Sequence, residues 1–208
     1  MRETNDPMEN PRFARLYPRA ADRADARGAA AHRNRLVEGL EGRVLEIGAG
    51  DGRNFARYPE AVSLVAVEPE PNLRAVAQRR GVEVLDAPAE ALPFADESLD
   101  AVVVSLVLCS VPDQAAALRE IRRVLKPEGQ LRFYEHVVPL LQPKRAFLKA
   151  LGASGLWGKV AGGCHPARDT TQAILDAGFK YAELDRIEFR SAAVEPRLPY
   201  ILGCAIKD

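Results

Sequence analysis

A chain of 208 residues, 47% hydrophobic and 28% charged, has the make-up of an ordinary globular protein and is short for two domains of useful size. Its 29 Lys and Arg cancel its 29 Asp and Glu, which argues against a surface devoted to phosphate backbones, so no nucleic-acid partner is expected. The polar, acidic start lacks the apolar core of a secretory signal. The longest stretch free of Asp, Glu, Lys and Arg, Ala101–Pro112, is too short to cross a bilayer as a helix; a cytoplasmic protein without stable membrane insertion is expected.

In chain order, Met1–Pro18 reads as irregular, because its prolines and the Asn10–Pro11 step interrupt regular backbone. Arg19–Leu40, rich in Ala and Arg and apolar at Leu36, Val37 and Leu40, reads as a helix that caps the domain or lies over its active site. Arg43–Ile47 is a short apolar strand, Gly48–Gly52 a glycine turn, and a helix begins near Gly52. Val62–Val67 is the second strand, Glu70–Arg80 a helix and Val82–Leu85 the third strand. Leu99–Leu106 is a continuous apolar run, as a strand buried on both faces should be. Asp113 is an N-cap for a helix whose apolar face is Ala117, Leu118, Ile121 and Leu125, with Pro127 and Gly129 as its stop. Gln130–Glu135 is the fifth strand. Leu140–Ala167 breaks the rhythm with Trp157, Gly162–Gly163 and Cys164–His165–Pro166. A helix over Arg168–Ala177, a strand over Phe179–Phe189 and a last strand over Tyr200–Lys207 complete the chain.

Strands alternating with helices mean one α/β domain with a mostly parallel sheet. Ligands bind such sheets at the carboxyl ends of the strands, where Gly48–Gly52, Glu68, the turn after Leu106 and His136 all fall. Residues 1–40 would be a helical cap, 41–136 the ligand-binding core, 137–167 a lid and 168–208 the closing helix and strands. The three cysteines, Cys109, Cys164 and Cys204, are odd in number and far apart, which suggests reduced thiols rather than a disulfide framework or a clustered metal site.

The chemistry concentrates in Glu46-Ile47-Gly48-Ala49-Gly50-Asp51-Gly52. Glycines permit a tight turn and close ligand approach, although a turn with no ligand would look the same. Val65-Ala66-Val67-Glu68 ends a strand on an acid, placed to accept hydrogen bonds from both hydroxyls of a ribose. A dinucleotide would need G-x-G-x-x-G, but Arg53 stands where the third glycine belongs. No tyrosine has Lys four residues later, as many short-chain dehydrogenases do. Glu46 would repel a pyrophosphate but could attract an amino group.

Leu45–Gly52, Val67-Glu68, Ala89-Glu90-Ala91-Leu92-Pro93-Phe94, Ser98-Leu99-Asp100 and Arg123–Gly129 resemble, in order, the motifs of class I S-adenosylmethionine-dependent methyltransferases. The resemblance implies a Rossmann-like seven-stranded, mostly parallel sheet with helices on both faces and the last strand antiparallel. It implies S-adenosyl-L-methionine as cofactor, held by Glu46, Gly48, Gly50, Gly52, Asn54, Glu68, Pro69, Ala89, Glu90, Ser105 and Leu106. Pro88 stands where many members carry the Asp or Asn that reads adenine, so the backbone at Ala89, the Glu90 carboxylate or Asp86 would take that part.

A narrower resemblance, to methyltransferase-like thiol methyltransferases and their bacterial relatives, rests on Leu106–Val111, Glu135-His136-Val137, Gly163-Cys164-His165 and Arg168-Asp169-Thr170. The animal members carry a hydrophobic N-terminal anchor; the counterpart here is the polar segment up to Leu40. The acceptor expected is a small molecule, with a thiol or other soft nucleophile preferred. An oxygen or nitrogen of a lipid, quinone or natural product is the alternative, and a cofactor-binding regulator or scaffold without turnover is the alternative outside enzymes. His136 and His165 are the candidate catalytic residues, each with the alternative of a purely structural histidine, and Trp157 and Cys164 the candidate acceptor contacts. His32, beside Arg33 and Arg35, reads as a solvated surface residue, and Cys109 as apolar filler.

Overall fold

A strand covered on both faces needs apolar side chains at consecutive positions. Val102, Val103 and Val104 meet that need and are fully buried in the computed structural model, which describes residues 10–139, 163–165, 168–191 and 197–208. Helices α1 (Pro11–Ala24) and α2 (Ala30–Val37) come first. Then follow β1 (Gly42–Ile47), β2 (Val62–Val67), α3 (Pro71–Gln78), β3 (Glu83–Leu85), β4 (Leu99–Ser105), α4 (Gln114–Val124) and β5 (Leu125–His136). The last elements are α5 (Thr170–Asp176), β6 (Phe179–Phe189) and β7 (Leu198–Lys207).

The strands form one seven-stranded sheet in the order β3-β2-β1-β4-β5-β7-β6. The pairs from β3 to β5 are parallel, and β7 runs antiparallel to both β5 and β6. This is the Rossmann-like arrangement that the motifs implied. Val44, Ala101 and Val103 pack beneath Leu36 and Val37 of α2. Leu45, Ile47, Val102 and Val104 pack against Ala117, Leu118 and Ile121 of α4 and Ile174 of α5 on the other face. Strand order reverses between β1 and β4, which opens a crevice above their carboxyl ends.

Three elements differ from the sequence reading. The N-terminal segment is helical from Pro11, not irregular to Pro18. Asn10 accepts a hydrogen bond from the Phe13 amide at 3.1 Å, and Pro11 sits at the helix start, where a missing N–H costs nothing. A π-helical turn at Asp25–Ala29, with Gly28 at φ 121°, then separates α1 from α2. Next, no α-helix follows the glycine turn; only a 3-10 turn forms at Phe55–Arg57. Tyr58 precedes Pro59, which disfavours helical backbone at Tyr58, and its ψ of 140° is extended. Finally, β5 begins directly after α4 rather than at Gln130. Leu125 pairs with Leu99, and the ladder resumes only at Gln130 opposite Ala101, so residues 126–129 bulge out with Glu128 at φ 60°. The expected lid falls largely on residues 140–162, Trp157 among them, which lie outside the described residues.

Gly203 shows how closely the antiparallel edge is packed. The β6–β7 register shifts between Tyr181 and Glu183, and a Cβ at Gly203 would collide with the Glu183 carbonyl and come within 3.0 Å of Phe133. Gly203→Ala should therefore cost about 3 kcal/mol or more, the upper end of overpacking penalties, in chemical denaturation. Unchanged stability would mean that this edge repacks freely.

Candidate cofactor and acceptor site

Gly48, Gly50 and Gly52 all take positive φ, at 65°, 58° and 73°, so the turn after β1 is closed to side chains on backbone grounds alone. A Cβ on Gly48 would lie 2.6 Å from Val107, and one on Gly50 would lie 3.1 Å from the Tyr17 ring. The turn is held from β2. Glu68 accepts a hydrogen bond from the Gly50 amide at 2.7 Å and another from the Glu70 amide at 2.9 Å. Burial pushes the Glu68 carboxyl above its ordinary pKa against the pull of those two amides. A carboxylate has about four acceptor positions, so each oxygen retains capacity for a ligand hydroxyl. Pro69 follows it, with its carbonyl accepting from Arg74 at 2.9 Å.

Beside the turn lies a buried polar cluster. Glu46, 1% exposed, accepts hydrogen bonds from Asn54 Nδ2 at 2.8 Å and the Tyr58 hydroxyl at 2.9 Å. Burial raises its pKa from 4.5 to about 7, with Asn54, Tyr58 and Arg33 pulling the other way. Arg33, 3% exposed, donates to Asn54 Oδ1 at 3.3 Å, Ser105 Oγ at 3.1 Å and Asp25 at 3.1 Å. Arg53 donates to Asp51 at 2.7 Å and Asp25 at 3.0 Å and lies 5.5 Å from the Tyr17 ring centre. Sequence reasoning gave Arg33 no part in the site. The signal was present: Arg33 shares the i, i+3, i+4, i+7 stripe with Leu36, Val37 and Leu40, all buried. His32, read from the sequence as a solvated surface residue, is a correction. Its ring packs against Tyr134 and Phe189, its Nδ1 lies 3.2 Å from the Tyr134 hydroxyl, and partial burial, then Arg35 and Arg33, hold its pKa below the ordinary value.

The other wall is the turn after β4. Leu106 sits at φ 62°, a conformation that costs a branched side chain roughly 1–2 kcal/mol. The wholly buried Glu135 accepts from the amides of Val107 at 2.8 Å, Leu108 at 3.1 Å and Cys109 at 3.2 Å, and so fixes the strained turn. Burial drives the Glu135 carboxyl well above its ordinary pKa. His136, the next residue, packs edge-on against Tyr200 with centroids 4.1 Å apart, and its Nδ1 lies 3.6 Å from Cys164 Sγ. The His165 imidazole is exposed, whereas its backbone amide donates to the Cys109 carbonyl at 2.8 Å.

Ala89 is buried, and Glu90 accepts from the Asp113 amide at 3.1 Å. Asp86 is exposed and paired with Arg74 at 2.9 Å, which occupies its carboxylate. A surface cavity of about 480 Å³ lies at the opposite, amino ends of the strands, lined by Gly42, Ala61, Asp100 and Lys126, away from all these groups.

A family model described as a methyltransferase domain matches residues 45–133. The chain is 35% identical over 184 residues to the mouse (Mus musculus) protein named thiol S-methyltransferase TMT1B, covering 82% of this chain and 74% of the relative. It is 33% identical over 173 residues to the human (Homo sapiens) thiol S-methyltransferase TMT1A, covering 79% and 70%. The chain belongs to the class I S-adenosylmethionine-dependent methyltransferases. A solved methyltransferase structure from Thermotoga maritima, described as a possible histamine N-methyltransferase, has the same fold: TM-score 0.71 at 23% identity, covering 95% of this chain and 97% of that one.

S-adenosyl-L-methionine is thus the cofactor, and it brings a methyl group already activated on a sulfonium. The residues of this methyltransferase fit it. A turn that admits no Cβ faces a buried carboxylate at a strand end, and a carboxylate–amide–guanidinium cluster offers both charge signs to an amino acid moiety.

Glu46 carries a pH signature. Its folded pKa of about 7 exceeds the ordinary 4.5, so its favourable contribution is complete below about pH 4.5 and is lost as pH rises through about 7. Glu46→Gln removes that loss. Denaturation of the ligand-free proteins should show the variant gaining up to about 3 kcal/mol on wild type between about pH 5 and about pH 8. A difference independent of pH would mean that Glu46 is not a buried titrating group.

Proposed function

We propose that this methyltransferase transfers the methyl group to the sulfur of a small thiol. One observation carries the reading. The four segments that resemble the thiol methyltransferases are scattered through the sequence, yet Leu106–Val111, Glu135–Val137, Gly163–His165 and Arg168 converge beside the carboxyl ends of β4 and β5. The same similarity extends to the named thiol S-methyltransferases well beyond the core motifs.

Glu68 would take the ribose hydroxyls, and the backbone at Ala89 with the Glu90 carboxylate would take the adenine. Arg33 and Asn54 would meet the methionyl carboxylate and Glu46 its amino group, with Gly48, Gly50, Gly52, Pro69, Ser105 and Leu106 shaping the floor. The chain's work in the transfer is to align and to desolvate. A thiol with a pKa near 8.5 is partly ionised at neutral pH, so weak proton acceptance suffices, and His136 stands where that proton would leave. His165 is a second candidate, Cys164 would line the acceptor side, and Trp157 falls outside the described residues. The protein would work in the cytoplasm; among the described residues no helix is long and apolar enough to cross a membrane. The balance of charge supports a small molecule over nucleic acid.

Labelled S-adenosylmethionine with a panel of thiols, phenols, amines and quinols tests this reading. Small thiols should be methylated fastest, and His136→Asn should lower kcat roughly 10²-fold or more, the lower range for a lost general base, with the deficit shrinking at alkaline pH. Turnover confined to oxygen, nitrogen or carbon acceptors would contradict it, as would no turnover with any of them.

A further inference from the structure

Two of the three cysteines meet although the sequence sets them far apart. The His165 amide donates to the Cys109 carbonyl at 2.8 Å, which lays the two cysteine-bearing segments side by side, and the neighbouring Cys164 is the main cause that raises the Cys109 thiol above its ordinary pKa. On the far side Arg168 donates to the carbonyls of Leu108 at 3.0 Å, Val111 at 2.5 Å and Pro112 at 3.3 Å, so both segments are clamped together. The third thiol lies elsewhere: Cys204, on β7, has Gln130 Oε1 at 3.8 Å.

We propose that Cys109 and Cys164 form a reversible dithiol–disulfide couple that exchanges with low-molecular-weight disulfides. The inference does not rest on the acceptor proposed above. Thiol–disulfide exchange needs an attacking thiolate, a proton acceptor for it and a second thiol within reach of the first. Cys164 is the attacking thiol, since it is 8% exposed against 2% for Cys109 and has the His136 imidazole 3.6 Å away. Cys109 is the resolving thiol, deeper in the fold, with its pKa raised by its contact with Cys164 and by burial.

In the first step the Cys164 proton passes to His136 Nδ1, and the thiolate attacks one sulfur of the small disulfide. That disulfide's S–S bond breaks, a mixed disulfide forms on Cys164, and the departing thiolate takes the proton back from His136. In the second step the small fraction of Cys109 present as thiolate attacks the Cys164 sulfur and expels the second small thiolate, which takes up the proton that Cys109 released. Two electrons pass from the two cysteines to the small disulfide, leaving two small thiols and a Cys109–Cys164 bond. Excess small thiol reverses both steps.

The full chain, incubated with mixtures of reduced and oxidised glutathione, then quenched with an alkylating agent and mapped by peptide mass, tests the couple. Oxidation should yield a cross-linked Cys109–Cys164 peptide and lose two hydrogens, with Cys204 alkylated throughout. Cys109→Ser should halt at a stable glutathione adduct on Cys164, and Cys164→Ser should leave Cys109 alkylatable. His136→Asn should form the adduct roughly tenfold more slowly at neutral pH, through a lower thiolate fraction. Should either serine variant fail to fold, the wild-type cross-link map alone decides. The proposal is overturned if Cys109 and Cys164 stay alkylatable while Cys204 is oxidised, or if wild type stops at a glutathione adduct.

Discussion

Two guanidinium groups are buried at the carboxyl edge of the sheet, and the site is arranged around keeping them satisfied. A charge taken out of water costs several kcal/mol unless paired and hydrogen-bonded. Asp25 lies between Arg33 and Arg53, 3.1 Å from one and 3.0 Å from the other, and Asp51, Asn54 and Ser105 take most of the remaining donors. These partners come from the π-helical turn, the glycine turn and the end of β4. The N-terminal helices are thereby fixed to the carboxyl ends of the strands. Buried ion pairs are weak evidence for stability, so their concentration here fits a geometric role.

Two other carboxylates perform matching tasks on either side of the crevice. Glu68, just past the end of β2, reaches across to an amide of the turn after β1. Glu135, near the end of β5, reaches across to three amides of the turn after β4. β1 and β4 are the neighbours between which strand order reverses. Each turn at the crevice is thus held by an acid from the strand on its outer side. The left-handed Leu106 is the strained residue in the backbone those acids hold, whereas the positive-φ glycines adopt theirs without strain.

The middle of the sheet was legible because β4 is apolar over both faces, and α4 and α5 carry plain caps. Asp113 accepts from the Ala116 amide and Asp169 from the Gln172 amide, with helix starts one residue beyond. The cofactor motifs were legible because glycines with positive φ and a strand-terminal acid leave a fixed spacing. The N-terminal helix was misread because prolines were counted as breaks, whereas Pro11 stands at a helix start and Pro18 is carried within one. The missing helix after Gly52 depended on Tyr58, which the following proline holds extended and whose hydroxyl reaches Glu46. The meeting of Cys109 with Cys164 has no local signature at all, since it arises from how the chain returns to the turn after β4.

The central claim is that the crevice between β1 and β4, closed by Glu68 and the glycine turn, holds the sulfonium cofactor. Calorimetric titration of S-adenosylhomocysteine into wild type and into folded Glu68→Ala tests it most directly. The account predicts binding by wild type and a loss of roughly 1.5–3 kcal/mol in the variant, the range for hydrogen bonds to a charged group. Equal affinity in the two proteins would contradict it, as would no binding by wild type.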